Sequence, residues 1–154
     1  MFSWLKTKRR ERALASNALP DEEWNAALDE LPFLDHYEAA LLARLRELTT
    51  LFLVEKSIVS GATSGEHVLE VTPHMRMLIA VQACLLIVGR GASVMAAMSD
   101  FDGWENVVVY PGDFPRTQDF EDDAGVVHHL DEPIAGESWE GGPVLLSWPS
   151  VEAG

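Results

Sequence analysis

"TPHMRMLIAVQACLLIVG", Thr72 to Gly89, is the stretch on which the fold turns. It opens with threonine ahead of proline. The hydroxyl can cap free backbone N–H groups, and proline has the φ of a first helical turn with no N–H to leave unpaired. It closes at Gly89, with Gly91 just behind, where glycine commonly ends helices. Between those signals the run is apolar almost all round, and such a helix must be covered on almost every side. The spacing predicts a buried central helix over residues 73–88, with Ala83 deep in the core. Arg76, in the first turn against the helix dipole, is expected to be replaceable at little cost.

Working upstream, "DEEWNAALD" (21–29) has an acidic start after Pro20 and predicts a short helix that ends at Leu31-Pro32. "DHYEAALLARLRELTTLFLVEKS" (35–57) predicts a long amphipathic helix capped by Asp35. Leu41, Leu42, Leu45, Leu48, Leu51 and Phe52 recur on it at helical spacing. Downstream of Ser57, Gly61 and Gly65 break the pattern, and residues 67–71 read as a strand. "ENVVVYPG" (105–112) predicts a second strand, "VVHHL" (126–130) a third and "PVLLSW" (143–148) a fourth, with "DFPRTQDFEDDAG" (113–125) as a loop. Helices followed mostly by strands indicate an α+β domain, with N-terminal helices and the central helix packed on a small mixed sheet.

Charge narrows the function classes. The 154 residues carry a formal net charge of −14. Five of the basic residues (Lys6, Lys8, Arg9, Arg10, Arg12) fall within residues 1–12, whereas residues 100–140 hold only Arg116. A surface of that kind repels phosphate backbones, so nucleic acid is not expected as a partner. Residues 1–20 read as a basic, flexible, solvated terminus ahead of one domain over 21–154. "MFSWLKTKRR" lacks the apolar stretch of a signal peptide, and the longest apolar run is too short to span a bilayer. The lone Cys84 cannot form an intramolecular disulfide and fits a reducing compartment. A cytoplasmic protein without a membrane partner is the expectation.

The usual catalytic patterns are incomplete. "GATSG" (61–65) lacks the Gly-Lys-Ser/Thr ending of a phosphate loop and has Thr63 where a nucleophile elbow needs serine; it reads as a turn. "DFEDDAGVVHHL" (119–130) fails as a calcium loop, with Ala124 at its sixth position and Leu130 at its twelfth. His128, His129, Asp131 and Glu132 are the only metal-like cluster, but adjacent residues of a regular strand face opposite ways. Cys84, inside an apolar helix, reads as a small hydrophobe with a raised pKa. No His-Glu-x-x-His occurs in the sequence. The residues themselves supply no catalytic, cofactor or metal site.

Three stretches in order, "HMRMLIAVQACLLIVG" (74–89), "VVVYPGDF" (107–114) and "GESWEGGPVLLSWPSVEAG" (136–154), resemble the first half of the Mlc titration factor A family of zinc-dependent peptidases. The helix "LLARLRELTTLFLVEKS" (41–57) also fits, so the resemblance spans about Tyr37 to Gly154. It implies the N-terminal part of a zincin-like domain, with peptide substrates of aminopeptidase type and a sugar-responsive transcriptional repressor as partner. In that family the strand resembling "PVLLSW" is followed by a helix bearing His-Glu-x-x-His. There two histidines hold zinc, the intervening glutamate activates its water, and a later glutamate completes the ligands. No position here matches those residues. The resemblance therefore implies a chain truncated before its zinc helix and inactive alone. The alternative is a non-catalytic protein-binding module or a remnant. Self-association through an exposed apolar strand, "PVLLSW", is expected.

Overall fold

The computed structural model describes residues 2–61, 68–112 and 142–154 with their side chains, and 114–121, 127–134 and 136–138 by their backbone. The chain begins as a helix, α1 (Phe2–Ser16), where the sequence reading expects a frayed, flexible segment. One charged residue accounts for the difference. Arg10 is only 3% exposed. Its Nε and Nη2 donate to the two carboxylate oxygens of Glu55 at 2.8 and 3.1 Å, and Nη2 also donates to Asp102 at 3.0 Å. Lys6 reaches the same Asp102 oxygen at 2.7 Å. Both acceptors are distant in sequence, so a local reading sees a run of cations without partners.

This network is sensitive to acid. Burial raises the pKa of the Asp102 carboxyl, but hydrogen bonds from Lys6 and Arg10 outweigh it and hold the group below the usual carboxylate range. A depressed carboxylate contributes stability above its unfolded pKa, and that contribution is lost as pH falls through the lower folded value. Urea unfolding should show stability declining below about pH 4, where an unfolded aspartate begins to bind its proton. Asp102→Asn should be less stable at neutral pH and should show a shallower acid decline.

Helix α2 (Asp21–Asp29) follows, burying Trp24 and Ala27, and ends at a 3-10 turn over Pro32–His36. Asp35 lies inside that turn and does not cap the long helix. Helix α3 (Ala39–Glu55) starts after extended Glu38, with no side-chain cap. Leu45, Leu48, Leu51 and Phe52 are fully buried along it, as their spacing requires. Strand β1 (Ser57–Ser60) begins directly after this helix. It was not legible in the sequence, because no turn residue separates it from α3. The expected strand at 67–71 is absent over its described residues, 68–71.

Helix α4 (Pro73–Leu85) is the central helix, and Thr72 caps it by accepting from Met75 N at 3.2 Å. Met77, Leu78, Ile79, Ala80, Val81 and Cys84 are buried, whereas Ala83 is half-buried and Leu86, just beyond the helix, is 75% exposed. Ala83 is therefore not deep in the core: one stripe of this helix is left open. A short helix, α5 (Val94–Met98), and a 3-10 turn at Ser99–Phe101 lead into strand β2 (Asn106–Tyr110).

Strands β3 (Phe114–Glu121) and β4 (Val127–Ile134) form a separate antiparallel ribbon, in register from Phe114 opposite Ile134 to Glu121 opposite Val127. Residues 114–121 are therefore strand and not the loop that the sequence predicts. Strands β5 (Gly136–Ser138) and β6 (Val144–Ser147) return to the main sheet, and helix α6 (Trp148–Ala153) closes the chain. The main sheet has the order β1-β2-β6-β5, with the first two pairings parallel and the last antiparallel. The α+β class with a small mixed sheet holds. β6 is not an edge strand: β2 and β5 flank it, and Val144, Leu145 and Leu146 are half-buried. Self-association by edge pairing of β6 is thereby removed, because its backbone groups are already paired on both sides.

Val107 and Val109 of β2 face the helical layer and are 1% and 0% exposed, alternating with half-buried Val108 and Tyr110. On that second face Tyr110 crosses Gly61. A Cβ on Gly61 would lie 2.7 Å from both the Tyr110 ring and Val108 Cγ1, closer than any methyl can sit. Gly61→Ala is expected to destabilise the chain by about 1–3 kcal/mol through overpacking. The check is a lower urea midpoint with an unchanged m-value.

Candidate functional site

The open stripe of α4 is one wall of an apolar groove of about 470 Å³. Gln82, Ala83 and Leu86 come from the helix side, Val107, Val144 and Leu146 from β2 and β6, and Val151 from α6. Phe52, Phe101 and Trp104 line the rest. Those three rings pack edge-to-face with centroids 5.7, 6.0 and 5.4 Å apart, a geometry that aromatic quadrupoles favour.

Beneath this rim Lys56 Nζ donates to the carbonyls of Phe101 and Trp104 and sits 4.2 Å from the Trp104 ring centroid. Burial lowers its pKa, and the nearby carboxylates of Glu55 and Asp102 oppose that shift. With two carbonyls and a ring face around it, the ammonium fixes the 101–104 segment in place. No substrate-facing role follows from this arrangement.

The polar groups of the groove are already engaged. Gln82 Nε2 donates to Val151 O at 2.8 Å, tying α6 to α4, and Asp100 pairs with Arg90 at 2.6 Å. The groove can bind apolar surface; its lining contains no nucleophile–base pair.

The residues singled out in the sequence do not converge. Cys84 is fully buried, and burial pushes its thiol up to about 12 against a weaker opposing hydrogen bond with Thr49. The thiolate is the reactive form, so this thiol is inert. His128, His129, Asp131 and Glu132 lie on β4 opposite Phe120, Asp119, Thr117 and Arg116, but their side chains are outside the described residues. Thr63 and His67 are outside them too. His74 pairs with Glu30 across α2 and α4, an exposed contact. Among the described residues no three His, Cys, Asp or Glu side chains could hold a metal ion. The groove itself escaped the sequence reading. Gln82-Ala83 with Leu86, the less apolar stripe of α4, was its only signal.

With the groove and its neighbouring strand located, similarity to known proteins becomes informative. The family model described as glucose-regulated metallo-peptidase M90 matches residues 5–154. The chain belongs to that family. Among its relatives, Mlc titration factor A of Klebsiella pneumoniae strain 342 is 33% identical over 129 residues, covering 84% of this chain and 44% of the relative. The protein of the same name from Salmonella arizonae is 31% identical over 148 residues, covering 96% and 53%. That of Pectobacterium atrosepticum is 30% identical over 141 residues, covering 84% and 49%. The chain spans about half the length of the curated relatives it matches. Since the match starts at residue 5, α1 is part of the family domain, whereas the sequence resemblance was first evident only from Tyr37.

Proposed function

We propose that these 154 residues are the first half of a zinc-dependent peptidase domain of zincin type, and that the groove is the face on which the rest of that domain packs. Membership of a metallo-peptidase family supports the reaction class. The observation that carries the reading is the groove's position. It is apolar, it opens along the uncovered stripe of α4, and it is bounded by Val151 of α6, the last helix of the chain. An apolar face of this kind beside the end of the described fold is where further chain would bury surface.

The described residues do not fit a zinc site, so no catalytic step is assigned to them. Their contribution is to hold β6 and α6 in place: parallel pairing with β2, the Gln82 bond to Val151 and the aromatic rim all act on that end of the molecule. The substrates of the whole protein would be peptides, of the aminopeptidase type that the resemblance implies. Its location would be cytoplasmic, in keeping with a single, buried, free thiol.

The relatives' name supports a second reading, in which this half binds a transcriptional regulator of the Mlc kind without catalysing anything. The reading frame beyond codon 154 separates the two. An in-frame His-Glu-x-x-His shortly downstream supports the peptidase. A stop codon directly after Gly154, with a stable folded product, overturns it in favour of the binding module.

A further inference from the structure

The ion pairs of Arg10 settle which way α1 faces, and that orientation leaves an unusual surface outside. At 100° per residue, Trp4, Leu5, Lys8 and Arg12 fall roughly 120–160° from Arg10 around the helix. They point away from the core, and Phe2 is exposed at the tip. Phe2 is 86% exposed, Trp4 63% and Leu5 54%. Lys8, Arg9 and Arg12 are exposed as well, and neither Arg9 nor Arg12 has an ion pair among the described residues. Large apolar side chains at one end of a helix, followed by cations along the same face, match the interface of an anionic bilayer. Trp, Phe and Leu enter the boundary between headgroups and acyl chains, and the cations meet the lipid phosphates.

We propose that the outer face of α1 docks on an anionic membrane surface, with Phe2, Trp4 and Leu5 inserted and Lys8, Arg9 and Arg12 against the headgroups. The helix lies on the bilayer and does not cross it; no described helix is long and apolar enough to span one. The sequence alone argues against a membrane, because a frayed terminus has no face and the whole chain is acidic. The structure changes both terms. Arg10, bound to Glu55 and Asp102, holds the helix as a rigid platform. Glu55 and Asp102 are already neutralised by Arg10 and Lys6, and Glu11 offsets Lys8, which leaves Arg9, with Glu105 nearby, and Arg12 as the cations of this face without an ion pair among the described residues. Charges farther off than about 8 Å are largely screened at physiological salt. The face is therefore locally cationic on a protein of net charge −14.

The test is flotation of the 154-residue chain with vesicles of phosphatidylcholine alone and with phosphatidylglycerol mixed in. Binding is expected only with phosphatidylglycerol, falling at least tenfold in high salt. Trp4→Ser/Leu5→Ser and, separately, Lys8→Glu/Arg12→Glu should each reduce it by tenfold or more. All four side chains point outward, so circular dichroism of both variants should match the parent. No binding to mixed vesicles overturns the proposal, as does equal binding to both vesicle types. So does a sedimentation shift from dimer to monomer in Trp4→Ser/Leu5→Ser, which would make the tip a contact between copies.

Discussion

Val81→Asp is expected to leave the chain unfolded. Val81 is fully buried on α4, and the side chains one turn away on either side, Met77, Leu78, Cys84 and Leu85, are all apolar. None of those four neighbours offers a carboxylate a cation to pair with. The carboxylate must either stay charged in a dry core or take up a proton, and the lost valine adds a packing defect. The combined cost is about 5 kcal/mol or more, at the rare upper end for single substitutions. A domain of this size has a total stability of only about 5–15 kcal/mol. The readout is loss of the cooperative urea transition and of near-ultraviolet circular dichroism. Ala83→Asp, two residues along the same helix, should stay folded because its side chain opens into the groove and water. If the two variants behaved alike, α4 would have no open stripe.

The second large effect belongs to Arg10→Ala. Removing a buried cation strands its partners, and the cost comes mainly from the charge left behind. Glu55 is 12% exposed and loses both of its bonds from Arg10, whereas Asp102 keeps Lys6. A loss of about 3 kcal/mol is expected, at the lower end for a broken buried pair because one partner stays satisfied. It should appear as earlier urea unfolding and as faster amide exchange in α1. Adding Glu55→Gln to Arg10→Ala should recover part of the loss, since it removes the stranded charge. A double variant less stable than Arg10→Ala would show that Glu55 has another partner.

The central helix, the α+β class and three of the six described strands, β2, β4 and β6, could be read from local patterns, because each has a signal within its own residues. Thr72-Pro73 marks the start of α4, alternating valines mark β2, and Val144-Leu145-Leu146 marks β6. Most of the failures share one cause, which is contact between residues far apart in the chain; Asp35 is the local exception. Helix α1 looks like a basic tail until Glu55 and Asp102 come to meet it. β1 is four residues whose strand character comes from pairing with β2, starting with Ser57 N donating to Glu105 O at 2.8 Å. Asp35 has the chemistry of a cap, but Pro32 draws it into a 3-10 turn. β6 looked like an edge because β5, the three residues that cover it, has no strand pattern of its own. The groove was illegible for the same reason: its walls come from three helices (α3, α4 and α6), two strands and the segment around Phe101 and Trp104.

The central claim is that the groove receives the remainder of a peptidase domain, and activity tests it most directly. The product of the reading frame carried past codon 154 would be assayed for zinc-dependent hydrolysis of an aminopeptidase substrate, with and without Ala83→Asp. The account predicts hydrolysis by the parent and at least a tenfold loss in the variant, whose 154-residue form still folds. Undiminished hydrolysis with aspartate in the groove, or none from the extended parent, would contradict it.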